Sequence, residues 1–181
     1  MRCLVVTTTQ VYNEFSAGSP DPVALRDFFK MYHDKFSADS VNRLKYVLLL
    51  GDASFDYRDR LAGNTAFVPA WESEISIDPL ATYTSDDFFG LLDDQDDISS
   101  GLSVPLLDIG IGRVPAKTLA EANSFADKVE AYFSPGSLGS WRNEITLIAD
   151  DEDQNLHLQD AESVAATAAS AAPGMTINKI Y

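Results

Sequence analysis

Residues 45–52 read KYVLLLGD. Five consecutive apolar residues, Tyr46 to Leu50, stop abruptly at Gly51 and Asp52. So short and unbroken a run marks a strand covered on both faces, as strands of parallel sheets are. Four other segments read as strands: Cys3–Thr7 (CLVVT), Leu107–Ile111 (LDIGI), Glu144–Ala149 (EITLIA) and Met175–Ile180. Helical patterns lie between them. Asp21 is an N-cap candidate with Pro22 at the first helical position, and Leu25, Phe28, Phe29, Tyr32 and Phe36 then fall on one face. Pro115 and Thr118 open a second helix with an inner face of Leu119, Ala122, Phe125, Val129 and Tyr132. Residues 156–171 form an Ala-rich third, closed by Pro173 and Gly174. Strands alternating with helices predict an α/β fold with a mainly parallel sheet flanked by helices.

The totals narrow the function classes. Of 181 residues, 45 % are hydrophobic, enough for a core and too many for a disordered acidic tail. The net charge of −15 disfavours nucleic acid, whose phosphates would be repelled, and suits a domain that binds cations. No apolar run approaches the roughly 18–20 residues of a membrane span. Met1-Arg2 runs into CLVVTTT without a secretory cleavage site. Cys3 is the single cysteine, which rules out an intrachain disulfide. Within its apolar strand it is expected to be buried and inert.

Chemistry gathers where strands end. In open α/β sheets, sites lie at the carboxyl ends of strands. Here those ends are Gly51-Asp52, Gly112-Arg113 and Asp150-Asp151-Glu152-Asp153. Residues 53–107 are poor in regular pattern, and a loop region this long is often functional. Within it Tyr83–Asp97 reads YTSDDFFGLLDDQDD, six aspartates with no basic residue. Asp93, Asp94, Asp96 and Asp97 would repel one another unless a cation or solvent separates them. Calcium takes six to eight oxygen ligands in irregular geometry, and Asp52 could join from the strand end. Arg113 could neutralise part of the cluster. The spacing is not that of an EF-hand. A bound ion and an exposed acidic turn both remain open on these residues. His33 lies mid-helix beside Asp34 and reads as a surface residue; His157, at a helix start, could ligand a metal or orient a carboxylate.

Several segments in order, KYVLLLGDASFDYR, VPAWESE, YTSDDFFGLLDD, LDIGIGRVPAKTLAEANSFADKVEAY, WRNEITLIADDEDQNLH and INKIY, resemble the gingipain-type cysteine peptidases. The resemblance is strongest to the sortase branch of the type IX secretion system. It implies a caspase-like, Rossmann-like three-layer fold of two adjoining subdomains. Residues 1–133 would be the first subdomain without its first strand, 134–140 (SPGSLGS) a linker, and 141–181 the opening of the catalytic subdomain. The family's catalytic Cys and His fall after a Gly-His-Gly type segment, later than this sequence reaches. The chain alone is therefore expected to be inactive. The resemblance implies that Glu152 orients the catalytic His, with Asp150 and Asp151 as alternatives. It also implies that Asp52 ligates calcium, with Asp93, Asp94 and Asp96 as weaker candidates. The implied partners are secreted cargo with C-terminal sorting signals and other secretion components, at the surface of a Gram-negative bacterium. A calcium-stabilised, non-catalytic binding module of a surface protein is the alternative.

Overall fold

Thr7 decides how the chain begins. In the computed structural model, which describes residues 2–74, 77–78, 82–96, 98 and 105–181, the Thr7 hydroxyl accepts from the Gln10 N–H. The Gln10 side chain accepts from the Thr7 N–H in return. This reciprocal capping box satisfies two N–H groups that a helix start leaves bare. It starts α1, Thr8–Phe15. The expected strand Cys3–Thr7 does not form, because its last residue is spent as this cap and residues 3–7 have no sheet partner. Cys3 is exposed, not buried. A helix at α1 is not among the sequence expectations.

The second helix, α2, spans Pro22–Lys35, with Asp21 accepting from Val23 N–H at 2.8 Å as the N-cap. Its apolar face packs on α1 and on the strands. Val11, Tyr12, Leu25, Phe29, Leu49, Phe89, Leu92 and Ile109 form one buried cluster, in which Phe89 has no exposed surface. Burying side chains of this size contributes roughly 1.5–3 kcal/mol each.

Strand β1, Tyr46–Leu50, pairs in parallel with β4, Gly110–Val114, matching Tyr46 with Gly110 and Leu50 with Val114. The parallel pairing is as expected, but β4 starts three residues later than LDIGI predicts. Asp108 accounts for the shift: its N–H donates to the Gly90 carbonyl and its carboxylate accepts from Leu92 N–H at 2.8 Å. Leu107 and Asp108 thus brace a neighbouring loop instead of extending the ladder. Arg113 consequently lies within β4, opposite Leu49, and not beyond its end. The expected covering of β1 on both faces is also corrected. Leu49 is buried, whereas Tyr46, Leu48 and Leu50 on the other face are more than half exposed.

Between these strands lie the short antiparallel pair β2, Trp71–Glu72, and β3, Thr84–Ser85, followed by a 3₁₀ turn at Asp87–Phe89. After β4 comes α3, Leu119–Phe133. Thr118 caps it, accepting from Glu121 N–H, while the Glu121 carboxylate accepts from Lys117 N–H. The expected apolar face of α3 has no buried residue; Leu119, Phe125, Val129 and Tyr132 are all exposed.

The chain divides into two compact units, Met1–Ala126 and Asp127–Tyr181, at a point inside α3. In the second unit β5, Glu144–Ile148, pairs in parallel with β6, Thr176–Ile180, joined by α4, Glu152–Ala171. SPGSLGS is not loose here. Arg142 donates to the Tyr132 carbonyl and to the Ser137 hydroxyl, and its guanidinium lies 4.2 Å from the Tyr132 ring centroid. The described residues therefore form a mixed α/β chain of four α-helices with three two-stranded sheets, two of them parallel.

Candidate functional site

The first unit concentrates its polar contacts at the carboxyl ends of β1 and β4. Gly51 makes the turn there. Its φ of +148° is a conformation L side chains rarely adopt, and a Cβ would meet Phe67 Cβ at 2.9 Å. Its N–H continues the ladder to the Val114 carbonyl, and Asp52 N–H continues it to Ala116. The Asp52 carbonyl accepts from both Phe67 and Val68 N–H, stitching the loop 65–69 onto the strand end.

The Asp52 carboxylate is 14 % exposed, held by the Thr65 hydroxyl at 2.6 Å and faced by the Lys117 ammonium at 3.7 Å.

Arg113 does not reach Asp52. Its Nε and Nη2 donate to the two oxygens of Asp86, each at 2.7 Å. Nη1 donates to the carbonyls of Gly51 at 2.9 Å and Val68 at 2.7 Å, and Nη2 to Pro69 at 3.1 Å. A guanidinium carries five N–H donors, and here all five are used. Arg113 thus ties the end of β1, the 68–69 segment and the approach to the 3₁₀ turn at one point. Neutralising Asp86, not the Asp93–Asp96 loop, is its electrostatic role.

That loop is held from α2. Arg26 Nε donates to the Leu91 carbonyl at 2.7 Å and Nη2 to Asp93 at 3.1 Å, and Lys30 Nζ donates to Leu92 at 2.6 Å. Lys30 also lies 3.3 Å from Asp94 and 3.4 Å from Asp34. Burial alone would lower the Lys30 pKa; the bonds to and charge of Asp94 and Asp34 outweigh it and raise it. Asp93 N–H donates to the Asp96 carboxylate at 3.0 Å, closing the turn on itself. Asp97 lies outside the described residues. Two basic side chains therefore answer part of the repulsion that an acidic run creates.

Among the described residues no three His, Cys, Asp or Glu side chains converge as metal donors. Asp52, Asp93, Asp94 and Asp96 are not brought into one cage, and Asp52 and Asp94 each face an ammonium. Among the described residues, further oxygen donors from carbonyls or water would be needed to complete a cation's shell around any of them.

In the second unit β5 leads into the acidic segment. Asp150, Asp151 and Glu152 are exposed. Asp151 stands at the α4 N-cap position without a side-chain cap bond. Asp153, Gln154 and Asn155 then take left-handed conformations, with φ of 50°, 60° and 64°. Asn and Asp tolerate this region best, although each such residue is costly. His157 pairs with Asp153 at 3.3 Å across this turn and so is not a partner of Glu152. His33 pairs with Asp34 at 3.3 Å.

Asp86, Thr65, Lys117, Arg26 and Lys30 are the contributors that the sequence reading passes over. Arg26 and Lys30 carried a usable signal: basic residues four apart share one helix face, in a chain with 28 acidic and 13 basic residues.

The model of the family described as Peptidase family C25 matches residues 1–181 of the chain. The chain belongs to peptidase family C25. No curated protein sequence matches it. Among solved structures it is similar to dimeric latent PorU from Porphyromonas gingivalis, with 34 % identity and a TM-score of 0.61. That likeness covers 77 % of this chain and 14 % of the PorU chain, so this C25 chain spans about one seventh of that protein's length. No helix among the described residues is long and apolar enough to cross a membrane.

Proposed function

We propose that this C25 chain is part of the peptidase domain of a PorU-like sortase. The parent protein would remove the C-terminal sorting signal of secreted cargo and transfer the cargo to an acceptor at the surface of a Gram-negative cell. The observation that carries the reading is the family match along the whole chain, joined by the 34 % identity to PorU. The finer architecture belongs to the same proposal: a caspase-like three-layer fold, with residues 1–133 as a first subdomain, 134–140 as the join and 141–181 opening the catalytic one. The partners are cargo bearing sorting signals and other components of the type IX secretion system.

Within this reading Glu152 acts on a histidine that the parent supplies. A thiol nucleophile needs a neutral imidazole in the correct tautomer, and a carboxylate on the far ring nitrogen holds it so. Glu152 is exposed at the carboxyl end of β5, within reach of an incoming side chain, and Asp150 and Asp151 are its neighbours. Arg113 and Asp52 act on the rim of the first unit by fixing loops, not by chemistry. Calcium enters through the family alone, with Asp52 as ligand and Asp93, Asp94 and Asp96 as weaker ones. Carbonyls and water would complete its shell, and Lys117 would have to leave Asp52.

The experiment uses the full-length parent protein and a peptide carrying a sorting signal. Glu152→Gln should lower kcat/KM by about 10²–10⁴ while the fold is kept, as losing the carboxylate of a catalytic triad does. Wild-type rates in the Glu152→Gln parent would remove Glu152 from the mechanism. A parent with no thiol-dependent cleavage would remove the enzyme reading altogether.

A further inference from the structure

At the amino ends of β1 and β4 lies a solvent-open cleft of about 400 Å³. It sits at the opposite end of these strands from Asp52. With five residues per strand at about 3.3 Å each, the separation is on the order of 15 Å. The cleft lies wholly within the first unit.

Its lining is unusual for this chain. Arg43 and Lys45 both border it. Neither has an ion pair among the described residues, although acidic residues outnumber basic ones 28 to 13. His33 and Ser37 lie on the same wall. One carboxylate, Asp108, also lines it, with one of its oxygens engaged by Leu92 N–H at 2.8 Å. The remaining wall is apolar, from Leu44, Tyr46 and Ile109. The Tyr46 ring lies directly over Gly110, where a Cβ would come within 2.6 Å of it. Glycine there makes room for the ring, and Tyr46 remains 68 % exposed.

We propose that this cleft binds an acidic, partly apolar peptide segment, with Arg43 and Lys45 on its carboxylates and Tyr46 and Leu44 against its apolar side chains. Cationic groups without partners favour an anion. An anion alone would leave the apolar wall unused. The cleft falls at the small end of the range for ligand pockets, about 300–1,000 Å³. That is room for two or three side chains. The proposal rests on the polypeptide-handling reading above and deepens it.

The test is fluorescence anisotropy of a fluorescein-labelled hexapeptide of alternating Asp and Leu, titrated with the full-length parent protein. Binding should weaken at least about tenfold when Arg43→Gln and Lys45→Gln are combined, since two charge-assisted contacts are lost. It should weaken comparably when Asn replaces every Asp of the peptide, and Lys128→Gln on α3 should leave it unchanged. The peptide change does not depend on how any variant folds, and circular dichroism confirms the fold of the double variant. No measurable binding, or binding indifferent to both changes, overturns the proposal. Inorganic phosphate displacing the peptide as well as unlabelled peptide does would also overturn it, in favour of a plain anion site. The readout needs no catalysis, so a parent without peptidase activity would leave this result standing.

Discussion

Arg113 and Asp86 face each other through two 2.7 Å hydrogen bonds, and the other three N–H groups of Arg113 end on main-chain carbonyls from two further segments. The pair closes the carboxyl rim of the first unit by direct side-chain contact. The guanidinium side chain is 12 % exposed, so its five bonds are made in a largely desolvated place.

Arg113→Lys keeps the charge but has a single nitrogen, which cannot serve both Asp86 oxygens and three carbonyls. It should destabilise the chain by about 2–4 kcal/mol, near the range for breaking a buried pair. The denaturant midpoint would fall with little change in slope. A loss under about 0.5 kcal/mol, the scale of an ordinary surface change, would show that the rim holds without this hub.

Glu72 places a buried carboxylate oxygen without a hydrogen-bond partner among the described residues, and burial raises its pKa. The folded state therefore holds this proton more tightly than the unfolded chain. Its contribution is most favourable below the unfolded carboxylate range and is lost as pH rises through the folded value. Glu72→Gln should stabilise the chain at pH 7 by about 1 kcal/mol, with the gain fading in acid. Melting curves across the carboxylate range would show it; a gain that does not vary with pH would count against the assignment.

Tyr12 lies in the core beside α2, where burial first and the charge of Asp21 second push its phenol up to about 12. With the folded pKa above the ordinary phenol value of 10.0, stability is fully present below pH 10 and lost as pH rises through about 12. Tyr12→Phe should flatten that alkaline limb. An unchanged limb would assign the alkaline loss to other groups.

If calcium is the resident ion of this C25 domain, melting should shift upward with calcium relative to EGTA, by ligand linkage to the folded state. Asp52→Asn should abolish the shift. Asp94→Asn should reduce it less, in keeping with its weaker place in the proposed ligand set. Identical melting in calcium and EGTA would remove the ion from the reading.

Much of this was readable in the residues, and the failures have physical causes. YVLLL announced a parallel strand, and Asp21-Pro22 announced the start of α2, because capping and periodicity are local rules. The start of the chain was misread because β-branched residues score as strand whether or not a partner strand exists. Thr7 settled the matter by capping. The slip in β4 arose because Asp108 is recruited by Leu92, a contact sixteen residues apart that no window detects. In the candidate site Asp52 stood out through its place after a strand. Asp86 did not, since nothing in SDDFF says which aspartate will meet an arginine 27 residues on.

The left-handed run Asp153–Asn155 has a mechanical meaning. Three residues wound against the screw of the helix separate β5 from the regular turns of α4. The azimuth of Glu152 is then inherited from the strand before it.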